Sequence, residues 1–588
     1  MMNKKNKLWN KVLSILLSVS FMFGMFGCGS GKKEECPYDE FIVVDVFDAL
    51  SNYQGIQSGW FAKIIKDRFN MEFNIIAPNV AGGGGTLFDT RVASGNIGDI
   101  VIFDAEKGAL QDLVNVGLIM DMSEMLADKD IMRYERAIRA LNDPISETAI
   151  YAIPSEISSN SPMLSSEALD LNYGPYLRWD IYAELGYPEI NTLEDLLPIL
   201  KQMQDLQPFS DSGEPVYAFS FFKDWDANLM NAAKQPACLY GYDEYGFILL
   251  KADSFDYQSI IDEDSLYVRN LRFFFEANQM GLIDPESVAQ NYNTVFEKYE
   301  DGQVLFSPWP WLGQAAYNTD EHTSKGKGFM IVPISDMEVY SYGCRPEGNA
   351  KTVIAIGSNA QDPERLADFV DWLYSPEGII LNSAQPTTDS TAGLEGLMWE
   401  ITKGGPVLTE FGKDALIRKE EVMIPEEYGG GTWADGKSVL NYKSVVLTDL
   451  DENGYPYAYK LWDSVRSLQQ NALWDDWSTF MDAQSSIEYL TKNDQIVIAP
   501  GCSFSEVTET SEITTIRSQC KSVIVDYSWR MVFAEDEGEF NSLLQEMQDT
   551  VNSLGYEQVL AVDLENAKAY HEARVASVEK YGEEKKDD

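Results

Sequence analysis

The chain has 588 residues, enough by length for about two to four domains, with 45% hydrophobic and 12% aromatic residues, which excludes a disordered chain. It carries 94 Asp+Glu against 45 Lys+Arg, a net charge of −49 that repels phosphate backbones and argues against nucleic-acid binding. With only His322 and His571 as histidines, it also has little material for His-rich metal sites or Ser/His/Asp catalysis.

The N-terminus reads as an export signal. Lys4, Lys5, Lys7 and Lys11 form a basic start, and Val12 to Phe26 is an apolar stretch shorter than the ~20 residues a membrane helix needs. Met25-Phe26-Gly27-Cys28 follows, with a small residue before the cysteine. Lipidation of Cys28 and cleavage before it would remove residues 1–27, taking four lysines and no acid and moving the charge from −49 to −53. Residues 28–37 would then be a tether carrying two or three acyl chains. The remaining cysteines, Cys36, Cys238, Cys344, Cys502 and Cys520, show no CxxC spacing, which argues against zinc; a Cys502–Cys520 bridge stays open.

The folded part opens with strand Phe41 to Phe47, a helix from about Trp60 to Phe69, strand MEFNIIAP, a flexible loop at Gly82 to Gly85, a helix ending near RVASGN, and strand GDIVIFD ending at Asp104. The alternation predicts an α/β lobe with a parallel sheet. Ligands in such sheets sit beyond the carboxyl ends of the strands, where Asn52, Tyr53, Phe103, Asp104 and Lys107 fall. The glycine loop lacks GxxxxGK[ST], so no phosphate cradle is expected.

Further on, Thr192 to Asp195 is a capping-box start, and Asp362-Pro363 opens a helix whose Leu366, Phe369, Val370 and Leu373 share one face, stopped by Pro376 and Gly378. In YEDGQVLFSPWPWLG a short strand meets Pro308 and Pro310, which place Trp309 and Trp311 on a stiffened segment. A planar indole there can stack on a sugar or sit in the core; if that segment stays extended, the two point to opposite sides, so a ligand-facing Trp309 would leave Trp311 to the core. Trp433, in YGGGTWADG, is either a sugar platform or a loop anchor in the core. Asp449, Asp451 and Asn453 make the first half of an EF-hand-like loop, but position twelve is Lys460 where calcium needs a bidentate Glu, so an exposed Asn-Gly turn is the expectation and calcium the alternative. The tail EKYGEEKKDD reads as frayed and solvated.

Seven stretches in order resemble extracellular solute-binding proteins of ABC sugar importers, family 1, the maltodextrin-binding type: ASGNIGDIVIFD, ETAIYAIPSEIS, LRWDIYAELGYPEINTLEDLLPILKQM, GLIDPESVAQNYNTVFEKYEDGQVLFSPWPW, TVIAIGSNAQDPERLADFVDWLYSPEG, GLEGLMWEITKGGPVLTEFG and WRMVFAEDEGEFNSLLQEMQDTVNSLGYEQVL. With the lipobox-like start, the last two resemble the longer Gram-positive lipoprotein branch. The resemblance implies two α/β lobes, each a mostly parallel sheet with flanking helices and each discontinuous in sequence. Lobe 1 would be 38–155 and 350–410, lobe 2 156–349, and 411–588 a mostly helical C-terminal part packing on both. Crossings are expected near 154–158 and 333–351.

It also implies a carbohydrate ligand, expected to be an oligosaccharide, ABC permease subunits as partners, a lipid anchor on the extracellular face of the cytoplasmic membrane, and a monomer without catalytic activity or cofactor. Carried over position by position, Phe103, Glu106, Lys107, Glu156 and Trp309 match the family's binding positions, with Tyr53, Asp104, Trp225 and Trp433 as further candidates. Two rivals remain open: the same fold binding a peptide or polyamine, and a surface-anchored glycoside hydrolase, which needs two carboxylates at a defined separation.

Overall fold

A computed structural model describes residues 36–78, 85–106, 108–384, 390–468, 470–504, 506 and 509–582. The signal segment, Cys28, most of the 82–85 loop, Lys107 and the last six residues lie outside them.

The first lobe is built on six strands in the order Gly55–Ile56, Met71–Ile76, Ile42–Asp48, Ile100–Phe103, Asn349–Ile356, Ile153–Ser155. Ile42–Asp48 runs parallel to both neighbours, the signature of right-handed helical crossovers. Asn349–Ile356 returns antiparallel between Ile100–Phe103 and Ile153–Ser155, which puts Phe103 opposite Val353. The apolar runs of these strands are buried on both faces because helices cover both. Helix Gly59–Phe69 covers one face through Trp60, Phe61, Ile65 and Phe69. It starts at Gly59, where φ is +71° and an added Cβ would lie 2.3 Å from Cα of Gly436, so only glycine lets the 433–436 loop close over the helix.

Helix Pro363–Leu373 forms as expected. The Asp362 carboxylate accepts from the Arg365 N–H at 3.2 Å, and Leu366, Phe369, Val370 and Leu373 are fully buried. Pro376 and Gly378 do more than stop it. The Ser375 hydroxyl accepts from the Gly378 N–H at 3.1 Å and starts a second helix, Pro376–Asn382, with proline at its first position. The capping box at Thr192 and Asp195 is present.

The second lobe has shorter sheets. Tyr176–Arg178 pairs antiparallel with Phe306–Ser307 and Phe329–Ile331, and Tyr242–Tyr245, Ile248–Lys251 and Tyr257–Ser259 form an antiparallel meander. Val339–Tyr342 pairs parallel with Ile496–Ala499. The segment after residue 410 divides between the lobes. Trp433, Tyr442, Val445, Trp462 and Val465 join the first core, while residues from Leu473 to Val559 join the second. Helices Ser511–Val532, Glu537–Leu554 and Tyr556–Tyr581 therefore belong with lobe 2. The last helix runs into the tail expected to fray: Tyr581 is buried, and its hydroxyl donates to Glu347 at 2.5 Å. Among the described residues no helix is long and apolar enough to cross a membrane.

Candidate functional site

Three chain segments lie side by side where the lobes meet. The Glu156 N–H donates to the Lys443 carbonyl at 2.8 Å, Ile157 to Ser444 at 3.1 Å, and Ser158 to Arg345 at 3.0 Å. Glu156 sits at φ +48°, a left-handed conformation that costs a non-glycine residue about 1–2 kcal/mol. Strain of this kind gathers where a backbone must bend. Its carboxylate is held by Arg345 and by the Asn349 amide, 2.9 Å away. Burial works against its ionisation, yet Arg345, Lys443 and Asn349 together keep its carboxyl below the ordinary range.

Above this junction lies a cavity of about 460 Å³ between the lobes. Its size falls in the range of small-molecule sites, about 300–1,000 Å³. Lobe 1 contributes Glu106, Glu156, Lys351 and the 445–448 strip; lobe 2 contributes Glu167, Asp243, Glu244, Tyr245, Tyr340 and Tyr342; the last helix adds Tyr570 and Arg574. The Tyr570 ring stacks on Tyr245 with centroids 5.4 Å apart and packs 5.4 Å from Phe504, giving one aromatic wall. Tyr340 and Tyr342, two apart on one strand, share a face and form another.

The acidic groups here are engaged. Asp243 pairs with the buried Lys234 and accepts from the Tyr342 hydroxyl at 2.8 Å. Burial raises its pKa, but Lys234 and Tyr342 outweigh that and hold it below the ordinary carboxylate value. Glu244 accepts from the Asn228 amide at 3.0 Å, and burial raises its pKa. Glu167 accepts from the Ser341 hydroxyl and, at 2.6 Å, from the Asn172 N–H. Glu106 faces Lys351 at 3.9 Å.

Of the residues singled out in the sequence, the cavity brings together Glu106 and Glu156. Lys107 is outside the described residues, and the other site candidates lie elsewhere. Asp104 accepts from the Glu106 N–H at 2.8 Å and shapes the loop that presents Glu106. Phe103 is buried in one apolar cluster of lobe 1, and Tyr53 packs against the other, with its hydroxyl on the Ile56 carbonyl at 2.6 Å. Trp433 is a loop anchor: its ring stacks on Trp60 at 4.8 Å and 4°.

The two indoles after the 306–307 strand exchange the expected places. Trp309 is 6% exposed and lines an apolar void of about 30 Å³, whereas Trp311 is half-buried and donates to Asn172, a cavity residue, at 2.8 Å. The reason is local. The chain turns at Pro310 instead of staying extended, with the Gly313 N–H on the Trp309 carbonyl at 3.2 Å, so both rings fall on one side and stack at 4.6 Å. Trp225, 43% exposed, stacks on Tyr292 and meets both indoles edge-on or tilted.

Asp449 is turned inward, accepting from the Ser158 hydroxyl at 2.7 Å, the Ser159 N–H at 2.6 Å and the Asn160 amide at 2.6 Å. Asp451 accepts from the Asn453 and Tyr455 N–H groups, both at 2.8 Å, and closes the Asn-Gly turn. These carboxylates point apart, to a lobe crossing and to a turn, and among the described residues no three His, Cys, Asp or Glu side chains are grouped to hold a metal ion. The five described cysteines are free, so Cys502 and Cys520 are not bridged.

No family model matches the chain, and no curated protein matches it in sequence. Solved structures do. The alginate-binding protein AlgQ2 without calcium ion superposes with a TM-score of 0.59 at 14% identity, covering 91% of this chain and 100% of that one. The Streptococcus pneumoniae ABC-transporter substrate-binding protein FusA, in complex with kestose, gives 0.55 at 15% identity, covering 90% and 99%. The N-glycan transport solute-binding protein NgtS from the same organism, in complex with Man1GlcNAc, gives 0.51 at 14% identity, covering 90% and 100%. The chain has the solute-binding-protein fold. At this identity the likeness is one of fold.

The cavity-lining residues that escaped the sequence reading include Tyr245, Tyr340, Tyr342, Arg345, Tyr570 and Arg574. One signal existed. Positions 563, 567, 570, 574, 577 and 581 repeat at helical spacing along one face, and an arginine stands in that row.

Proposed function

We propose that this protein is the substrate-binding lipoprotein of an ABC importer, anchored through Cys28 outside the cytoplasmic membrane, which captures an oligosaccharide between its lobes and hands it to a permease. In this reading it is a non-enzymatic monomer of the maltodextrin-binding type. The observation that carries it is the interlobe cavity of about 460 Å³, set at the hinge of a solute-binding fold and walled by tyrosines and hydrogen-bonded charges. Ring faces suit the C–H faces of a sugar, and oriented carboxylates and amides suit its hydroxyls. The solved neighbours include a kestose complex and a Man1GlcNAc complex, which favours a saccharide here too.

The polyamine alternative needs acids free to meet ammonium groups, and the cavity acids already have partners. The hydrolase alternative needs a free nucleophile or base, and Asp243 is committed to Lys234 and Tyr342. The test is titration calorimetry of the chain lacking residues 1–28 against glycans, peptides and amines. Saturable binding to a glycan, recovered unchanged afterwards, supports the reading. Binding to a peptide or amine alone, or turnover of the glycan, contradicts it.

A further inference from the structure

The two tyrosines of strand Val339–Tyr342 face the cavity with different hydrogen-bond commitments. The Tyr342 hydroxyl donates to Asp243 at 2.8 Å and lies 2.8 Å from the Tyr173 hydroxyl, so its proton is used. The Tyr340 hydroxyl instead accepts, from Nη2 of Arg574 at 3.1 Å. Its own proton has no acceptor among the described residues, although Tyr340 is only 3% exposed. A buried donor left without a partner is costly, and its natural partner is a group that enters the cavity.

Arg574 sharpens the point. It is 4% exposed, donates to the Lys251 and Ala252 carbonyls at 3.3 and 3.1 Å, and lies over the Tyr570 ring at 4.2 Å. Among the described residues it forms no ion pair. Arg345 has Glu156, Lys234 has Asp243, and Lys351 has Glu106 within 4 Å, but Arg574 keeps its charge uncompensated in the cavity wall. A buried charge without a counter-ion is unfavourable, and an anion brought beside it relieves that cost.

Building on the carbohydrate reading, we infer that Tyr340 and Arg574 form a subsite for a carboxylate-bearing sugar, a uronic acid, with the Tyr340 hydroxyl donating to the carboxylate and Arg574 orienting that hydroxyl and supplying the field. Tyr340 is the contacting group and Arg574 a positioning residue. No bond is made or broken.

The experiment is calorimetry of the mature chain with galacturonate, mannuronate and glucuronate oligomers, each beside its carboxyl-reduced neutral counterpart. A hydrogen bond to a charged acceptor corresponds to a roughly 10- to 150-fold preference for one uronate over its reduced form. Tyr340→Phe, which keeps the ring, should shrink that ratio to within about threefold, with the melting temperature little changed. Tyr342→Phe, whose hydroxyl is already spent on Asp243, should leave the ratio intact. Equal affinity for acidic and neutral forms, or a preference that survives Tyr340→Phe, overturns the inference while leaving the carbohydrate reading standing. Failure of every glycan to bind overturns both.

Discussion

Replacing Trp309 by alanine should damage the fold of lobe 2 before it damages ligand binding. The indole is 6% exposed, stacked on Trp311 at 4.6 Å and met by the edge of Trp225 at 6.1 Å. The turn that holds it is fixed through the Trp309 carbonyl, which accepts from the Ser307 hydroxyl at 2.7 Å, and does not depend on the indole. What is lost is a buried ring and its contacts, about 3–5 kcal/mol for such a large-to-small change. With a urea dependence of about 3 kcal/mol/M, the midpoint should fall by roughly 1–1.7 M. Trp311→Ala removes a half-buried ring and the bond to Asn172, and should cost about 1–3 kcal/mol. Urea unfolding followed by circular dichroism, with glycan calorimetry on the folded variants, reads both effects. A Trp309→Ala protein that unfolds at the parental midpoint but no longer binds glycan would refute this reasoning and place the indole against the ligand.

Other outcomes follow from the same geometry. Burial lifts the Asp48 carboxyl to about 6, against the Asn441, Leu50 and Ser51 N–H groups. Its folded value lies above its unfolded one, so its effect is least harmful below about pH 4 and stability is lost as pH rises through about 6; the stability difference between parent and Asp48→Asn should change across that window and be flat above it, and a difference constant from pH 4 to 7 would contradict the assignment. Asp449→Ala leaves three donors of the lobe crossing without their acceptor and should cost about 1–3 kcal/mol per buried donor left unmet, seen as lower melting. Gly501→Ala puts a Cβ 2.0 Å from the Cys344 carbonyl oxygen, beside the cavity, and should lower melting too, whereas Gly454→Ala in the open turn meets no atom and strains only its positive φ. Cys28→Ala should release the protein from membranes or leave its signal uncleaved; a variant still cleaved and membrane-bound would contradict the anchor.

The parts of the fold legible in the sequence were those fixed by neighbours in the chain. Ile100–Phe103 is apolar and buried along its whole length, Ile42–Asp48 and Met71–Ile76 carry apolar residues at most of their positions and bury most of them, and the Asp362 and Thr192 caps are set by residues three apart. The exchange of Trp309 and Trp311 was not legible, since alternation assumes an extended chain and Pro310 begins a turn instead. The cavity was legible only at Glu106 and Glu156. Its aromatic walls combine Tyr245, Tyr340, Tyr342 and Tyr570, which approach only when lobe 2, the 339–342 strand and the last helix pack together. In sequence Tyr245, Tyr340 and Tyr342 are three of 30 tyrosines with no local pattern to set them apart, and Tyr570 alone stands in a helical-face row.

The central claim, that ligand is held between the lobes at the hinge, is tested most directly by hydrogen exchange with and without a saturating glycan. Binding at this cavity should slow exchange in 156–158, 339–351, 443–448 and the 570–574 turn of the last helix together, because these segments line one space. Slowing confined to the Trp225–Trp311 surface, with those four segments unchanged, would contradict the account.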